Sequence, residues 1–324
     1  MSAEIGAKEY SAFVADDYLS GFIADGGAAV KFAVWPDRDA LKELREDLKV
    51  RCAALGFSFV NVDSARTRIG MIQQVFFSIA AQIDWRALAR KIDSSIASEL
   101  CYLPDDGPLT VAAIAERNEV DQNIVRRDMR ARLTKRVIKN YTLAKDFRVA
   151  MAHLCLAEME EDALGKQSGA SILDWLHGEL RLISALKEMQ IYQRIGRHNA
   201  RVMLTSTARW LRLAGDAGLL IFLDLSGMAP SRRGAVAEGE LYYTRAALFD
   251  AYEVLRQFID ATDEMEGVMI VVAAPAAMLD EFSNRSMFQY RALSNRIRDD
   301  VHDRLHANPY APLVRLAPSH RGEA

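Results

Sequence analysis

The sequence predicts an α/β protein in which a parallel sheet, flanked by helices, is interrupted by a large helical insertion. Three observations carry this prediction. Several short apolar runs lack the alternation of a half-solvated antiparallel strand and read as strands buried on both faces. An amphipathic helix joins the first two runs, making residues 30–62 a βαβ unit. About 155 residues then separate the second run from the third, too many for one crossover, so helices must fill the space.

The strands are expected at 30–35, at 57–62 after Gly56, at 219–223 ending on Asp224, and at 268–273 before Pro275. Residues 39–55 place Leu41, Leu44, Leu48 and Leu55 on one helical stripe among charges. Further helices are expected at 72–100, 111–117, 122–139, 146–161 and 172–214. The insertion is placed at 86–170, dividing the α/β domain into residues 1–85 and 171–324. Loops are expected at 105–108, 165–169 and 228–239, and the tail from residue 309 is expected to be loosely held.

Half of the 324 residues are apolar and 26% are charged, the balance of a chain with a sizeable core. A net charge of −3 gives no global field that would demand nucleic acid or an anionic membrane, so local charge must decide. Cys52, Cys101 and Cys155 are widely spaced without a CxxC pair, which fits reduced thiols and a cytoplasmic setting. The opening residues MSAEIGAKEY do not read as a signal peptide, and runs such as 218–223 are too short to span a bilayer, so no membrane is expected. The six His residues show no H-E-x-x-H motif, and no G-x-S-x-G elbow occurs, so neither a metal nor a local nucleophile is expected.

Leu220-Ile221-Phe222-Leu223-Asp224 fits a Walker B strand, whose terminal acid would hold a magnesium shell. Leu225 stands where hydrolysing proteins commonly carry the Glu that polarises water. The partner motif G-x-x-x-x-G-K-[ST], whose amides and Lys cradle phosphates, occurs nowhere in these residues. After the first strand comes Trp35-Pro36-Asp37-Arg38-Asp39. Pro36 has no N–H to offer, and two acids stand where a polyphosphate would lie. The stretch reads as an ordinary capped helix start.

From residue 172 onward the chain resembles the ATP-binding proteins of BREX-type phage-defence operons, a P-loop family of the AAA/ORC-like kind. The resemblance rests on Trp175-Leu176-His177-Gly178-Glu179, a helix at 199–213, and Ala217-Gly218 leading into the Walker-B-like strand. It continues through Arg245, Ala251-Tyr252, the residues 255–260, a sensor-like strand at 271–275, and Tyr290, Leu293 and Arg296 in a Y-x-x-L-x-x-R ending. It covers about half the chain, with the opening βαβ unit extending it. It implies a P-loop NTPase-like fold and an ATPase-like subunit of a multi-protein antiviral system. Arg296 matches a position where relatives carry an arginine able to reach a neighbour's nucleotide. Because the phosphate loop and the Walker B Glu are replaced, the expected site is degenerate: Trp35, Pro36, Asp37, Arg38, Asp39, Asp224 and Arg296. No catalytic residue and no cofactor are expected, ATP with magnesium being the alternative. The partners implied are protein subunits of the same defence system, including an active P-loop paralogue.

The insertion carries a second signal. Ile114, Ala115, Val120 and Val125 fall where a helix-turn-helix needs its core, and the segment resembles the DNA-binding helices of DeoR-type repressors. Glu119 occupies the turn position where glycine is usual, so a left-handed turn there would be strained. Residues 126–139 hold seven bases against one acid, Asp128. Gln122, Asn123, Arg126, Arg127, Arg130, Lys135 and Arg136 are the candidate contacts to duplex DNA; the alternative is a solvated basic face. Three functions follow: a non-hydrolysing subunit of a defence or DNA-transaction system, an ATP-binding protein with a noncanonical phosphate site, and a helix-turn-helix regulator.

Overall fold

The computed structural model describes residues 3–102, 109–160, 163–298 and 306–319. In chain order the elements are α1 (Ala7–Phe13), β1 (Ala28–Trp35), α2 (Arg38–Ala54), β2 (Phe57–Asp63), α3 (Ile72–Ala80), α4 (Trp85–Glu99), α5 (Val111–Arg117), α6 (Gln122–Leu133), α7 (Lys145–Met159), α8 (Ala163–His177), α9 (Ala200–Leu213), β3 (Gly218–Asp224), α10 (Arg245–Asp260), β4 (Val268–Pro275), α11 (Arg291–Ile297) and β5 (Leu313–Arg315). The chain divides into two compact units, residues 1–79 with 216–324, and residues 80–215.

The first unit is built on one five-stranded sheet in the order β2-β3-β4-β1-β5. Every pairing is parallel, which agrees with the α/β, P-loop-like class the sequence predicts. All residues of β3 and β4 are buried, which is why these runs are apolar without alternation. Alternate residues share a face: Leu220, Phe222, Met269 and Val271 pack with Leu44 and Leu48 of α2 and with Tyr10 and Val14 at the amino end. That amino end is α1 continued by a π-wound helix, Val14–Ile23.

The tail is not loosely held throughout. β5 extends the sheet beyond β1, and the Leu316 amide donates to the Val34 carbonyl at 2.8 Å. Without it the outer edge of β1 would keep unpaired backbone groups.

The second unit is helical. The continuous helix expected over 72–100 is instead α3 and α4, divided because Asp84 caps α4 by accepting from the Ala87 amide at 2.9 Å. The expected 172–214 helix is likewise broken. Gly178 adopts φ 79° and ends α8 in a Schellman motif, with the Glu179 amide on the Asp174 carbonyl at 2.7 Å. The glycines at 165 and 169, expected in a loop, lie inside α8. A Cβ at Gly169 would stand 3.4 Å from the Ala157 methyl, so glycine suits the close approach of α7 and α8. The loop expected at 105–108 lies outside the described residues. The unit is longer than the 86–170 insertion read from the sequence, because α9 belongs with it: the Ser206 hydroxyl accepts from the Ala144 amide at 2.9 Å. Its core includes an edge-on aromatic chain, Trp85 to Phe147 to Trp210, with centroids 6.0 and 6.4 Å apart.

Candidate functional site

In a parallel sheet the carboxyl ends of all strands share one edge, and ligands of open α/β folds bind in the crevice there. β1, β3 and β4 bring three of the relevant segments to that edge: the 35–39 turn, Asp224 and the 273–275 end of β4. The turn is closed on itself. Asp37 caps α2, its Oδ1 accepting from the Ala40 amide at 2.8 Å, and its Oδ2 accepts from the Ser319 amide at 3.3 Å. Trp35 is buried, while Arg38 and Asp39 are exposed. A carboxylate thus takes the helix-terminal amide that would otherwise face an anion.

Asp224 sits at the end of β3 in register with Asp63 of β2. Its Oδ1 accepts from the Ser226 amide at 2.8 Å and from the Ser226 hydroxyl. Burial pushes its pKa up; the two Ser226 bonds oppose that, and the charge of Asp63 adds to it. Leu225 is fully buried, and its amide donates to the Ala273 carbonyl at 2.9 Å. The end of β4 offers only Ala273, Ala274 and Pro275.

Arg296 is not brought to this cluster. Its guanidinium pairs with Asp260, one bond measuring 2.9 Å, and Arg256 shares the same carboxylate. Asp260 ends α10, which runs from the carboxyl edge after β3 back to the start of β4, so the pair lies toward the opposite edge.

In the helical unit, α5 and α6 are consecutive helices packed on each other, with Val111, Ile114, Ala115, Val125, Met129 and Leu133 buried. Glu119 adopts φ 53°, the left-handed conformation for which its side chain is poorly suited. Asp121 caps α6, accepting from the Asn123 amide at 2.8 Å. The helix continues through a π-wound turn, Thr134–Ile138. The structure then divides the seven bases by face. Arg126 makes a two-bond pair with Glu160 at 2.7 and 3.0 Å. Arg136 and Arg132 turn to Glu99 of α4, at 2.8 and 3.5 Å. Arg130, Lys135 and Lys139 are exposed, with no ion pair among the described residues, and Arg127 pairs with its neighbour Asp128 at 3.1 Å. Gln122 and Asn123 are exposed on the first turn. Arg130 lines a cavity of about 710 Å³ with Arg126, His153 and Glu160, and there burial and then the Arg130 charge hold the His153 pKa down.

The family described as "BREX system ATP-binding protein BrxC/D" matches residues 109–323, about two thirds of the chain. The chain belongs to that family. This BREX-family match begins just before α5 and runs through β3 to the tail. Residues 1–108, with β1 and the 35–39 turn, lie outside it, and the structure joins them to the matched strands in one sheet. No curated protein and no solved structure matches the chain. Among the described residues, no helix of this BREX-family protein is long and apolar enough to cross a membrane, and no group of three or more His, Cys, Asp or Glu is placed to hold a metal. The contact of Ser319 with Asp37 had no signal in the sequence, since it depends on β5 carrying the tail back beside β1.

Proposed function

We propose that this BREX-family protein is a non-hydrolysing, ATPase-like subunit of a bacterial phage-defence assembly. It acts in the cytoplasm through protein subunits of that system, an active P-loop paralogue among them, and through duplex DNA. The observation that carries the reading is the state of the 35–39 turn. Asp37 occupies the α2 amino terminus and also takes the Ser319 amide, where triphosphate binding needs free amides and a Lys. Buried Leu225 supports the loss of hydrolysis independently. Calorimetry with ATP and magnesium tests it. Binding is expected to be too weak to saturate at millimolar nucleotide, whereas a low-micromolar dissociation constant, about −8 kcal/mol, would overturn the reading.

A DNA-contacting role for α6 is favoured by its geometry. Its buried stripe leaves Asn123, Arg127 and Lys135 on the outward side, the arrangement a helix needs to enter a major groove beside phosphates.

A further inference from the structure

We propose that the loops leaving the carboxyl ends of β2 and β3 form a nucleic-acid phosphate-binding surface of their own, in which Arg66, Arg232 and Arg233 contact the backbone. The two loops are locked together. The Leu241 amide donates to the Ala65 carbonyl at 2.8 Å, and the Gly227 amide donates to Ser64 Oγ at 3.0 Å. Gly227 is required by this approach, since a Cβ there would stand 2.4 Å from the Ala65 nitrogen. The buried Tyr243 hydroxyl reaches the Thr67 carbonyl at 2.7 Å and accepts from the Ile69 amide at 3.1 Å. The Tyr242 hydroxyl donates to the Ser231 carbonyl at 3.2 Å. Behind them, one guanidinium nitrogen of buried Arg285 donates to the carbonyls of Met228 and Tyr243, at 2.9 and 3.0 Å, fixing both ends of the β3 loop.

The arginines project from this frame. Arg66 follows Ala65, and Arg232-Arg233 follow Ser231, so each stretch sits beside a residue tied to the Leu241–Tyr243 segment. All three are exposed, and none has a carboxylate partner among the described residues. Arg68 lies over the Tyr243 ring at 5.7 Å, adding a cation to the β2 loop, and Arg245, the first residue of α10, lies over Phe249 at 5.4 Å. The acids of the strand ends are turned to local work: Asp63 accepts from the Ala65 amide and Asp224 from Ser226. Only Glu238 and Glu240 oppose the four arginines within the loops.

Exposed guanidinium groups on a rigid base suit spaced phosphates better than a compact triphosphate, which needs converging amides. Preformed loops also lose little conformational freedom on binding. Because the chain as a whole is slightly acidic, binding here must be local and strongly dependent on salt.

The test is fluorescence anisotropy on the full chain with a labelled duplex and a single strand of equal length, from low to physiological salt. In the Arg66→Ala/Arg232→Ala/Arg233→Ala variant, affinity should fall at least tenfold at low salt. If each arginine holds one duplex phosphate, the slope of log K against log salt should flatten by about 2.7. The Lys triple variant should retain most of that slope, which separates charge from folding. An Arg127→Ala/Lys135→Ala variant should leave the loss caused by the loop substitutions intact, so failure of the α6 reading and of this one are distinct. If the Ala triple variant binds both probes like the parent, or neither probe binds at low salt, the surface does not take nucleic acid and the proposal falls.

Discussion

Asp224 has the position of a Walker B acid, and its surroundings set its protonation. The carboxylate is buried, spends Oδ1 on Ser226, and faces Asp63 across the strand pair. Its folded pKa is therefore raised, so the protonated form suits the fold and ionisation weakens it. The resulting penalty is absent below the ordinary aspartate range and grows as pH rises through the folded value. Asn reproduces the protonated shape and can still accept from Ser226. Asp224→Asn is expected to raise the urea midpoint at pH 8, with the gain shrinking as pH falls through the folded value of Asp224. A lower midpoint at pH 8, or loss of a magnesium-dependent activity with folding intact, would show that the charge is in use. The sequence made the strand and its terminal acid legible, because a buried parallel strand has a simple composition. It could not show the raised pKa, which depends on burial by the folded chain and on Asp63 being brought alongside.

At the scale of elements, α6 shows that a run of bases is a mixture of roles. The sequence showed seven positive charges without a stripe. The partners that divide them, Glu99 on α4 and Glu160 after α7, lie far away in the chain and become neighbours only through packing. The packing of α5 on α6 was legible because Ala115 and Val125 are the small and apolar residues that the contact of two helices demands, and both are buried. Glu119 accepts a left-handed φ despite its Cβ, since the buried residues on both sides fix the turn. The faces predict different phenotypes. Arg127→Ala with Lys135→Ala should reduce duplex affinity and flatten the salt slope by about 1.8, with stability within about 0.5 kcal/mol of the parent. Arg126→Ala and Arg136→Ala should instead lower stability by about 0.5–1 kcal/mol each, the range for partly exposed pairs. Paired anisotropy and urea unfolding distinguish them; the reverse pattern would place the DNA contact on the flanks of the helix.

At the scale of the molecule, the two compact units raise the question of whether each folds alone. The strands, their order of appearance and the fold class were legible from apolar runs. The extent of the helical unit was not, because α9 carries no signal saying which neighbour it serves until Ser206 is seen accepting from Ala144. Residues 80–215 contain their own apolar core, with Trp85, Phe147, Trp175 and Trp210 buried, and they fall within the usual size of an independent domain. The remaining unit is discontinuous, but replacing the excised segment by a flexible Gly/Ser linker costs only loop-closure entropy, which grows slowly with length. Both pieces are therefore expected to fold. Three of the four tryptophans lie in residues 80–215 and only Trp35 in the sheet, so fluorescence separates the units. The 80–215 fragment should show a helical circular-dichroism spectrum and one cooperative urea transition in tryptophan emission. The linked sheet unit should keep Trp35 in a blue-shifted, buried environment. A fragment that is helical but melts without cooperativity would mean that its core is completed by the sheet unit, and the chain would then be a single folding unit despite its two clusters of contacts.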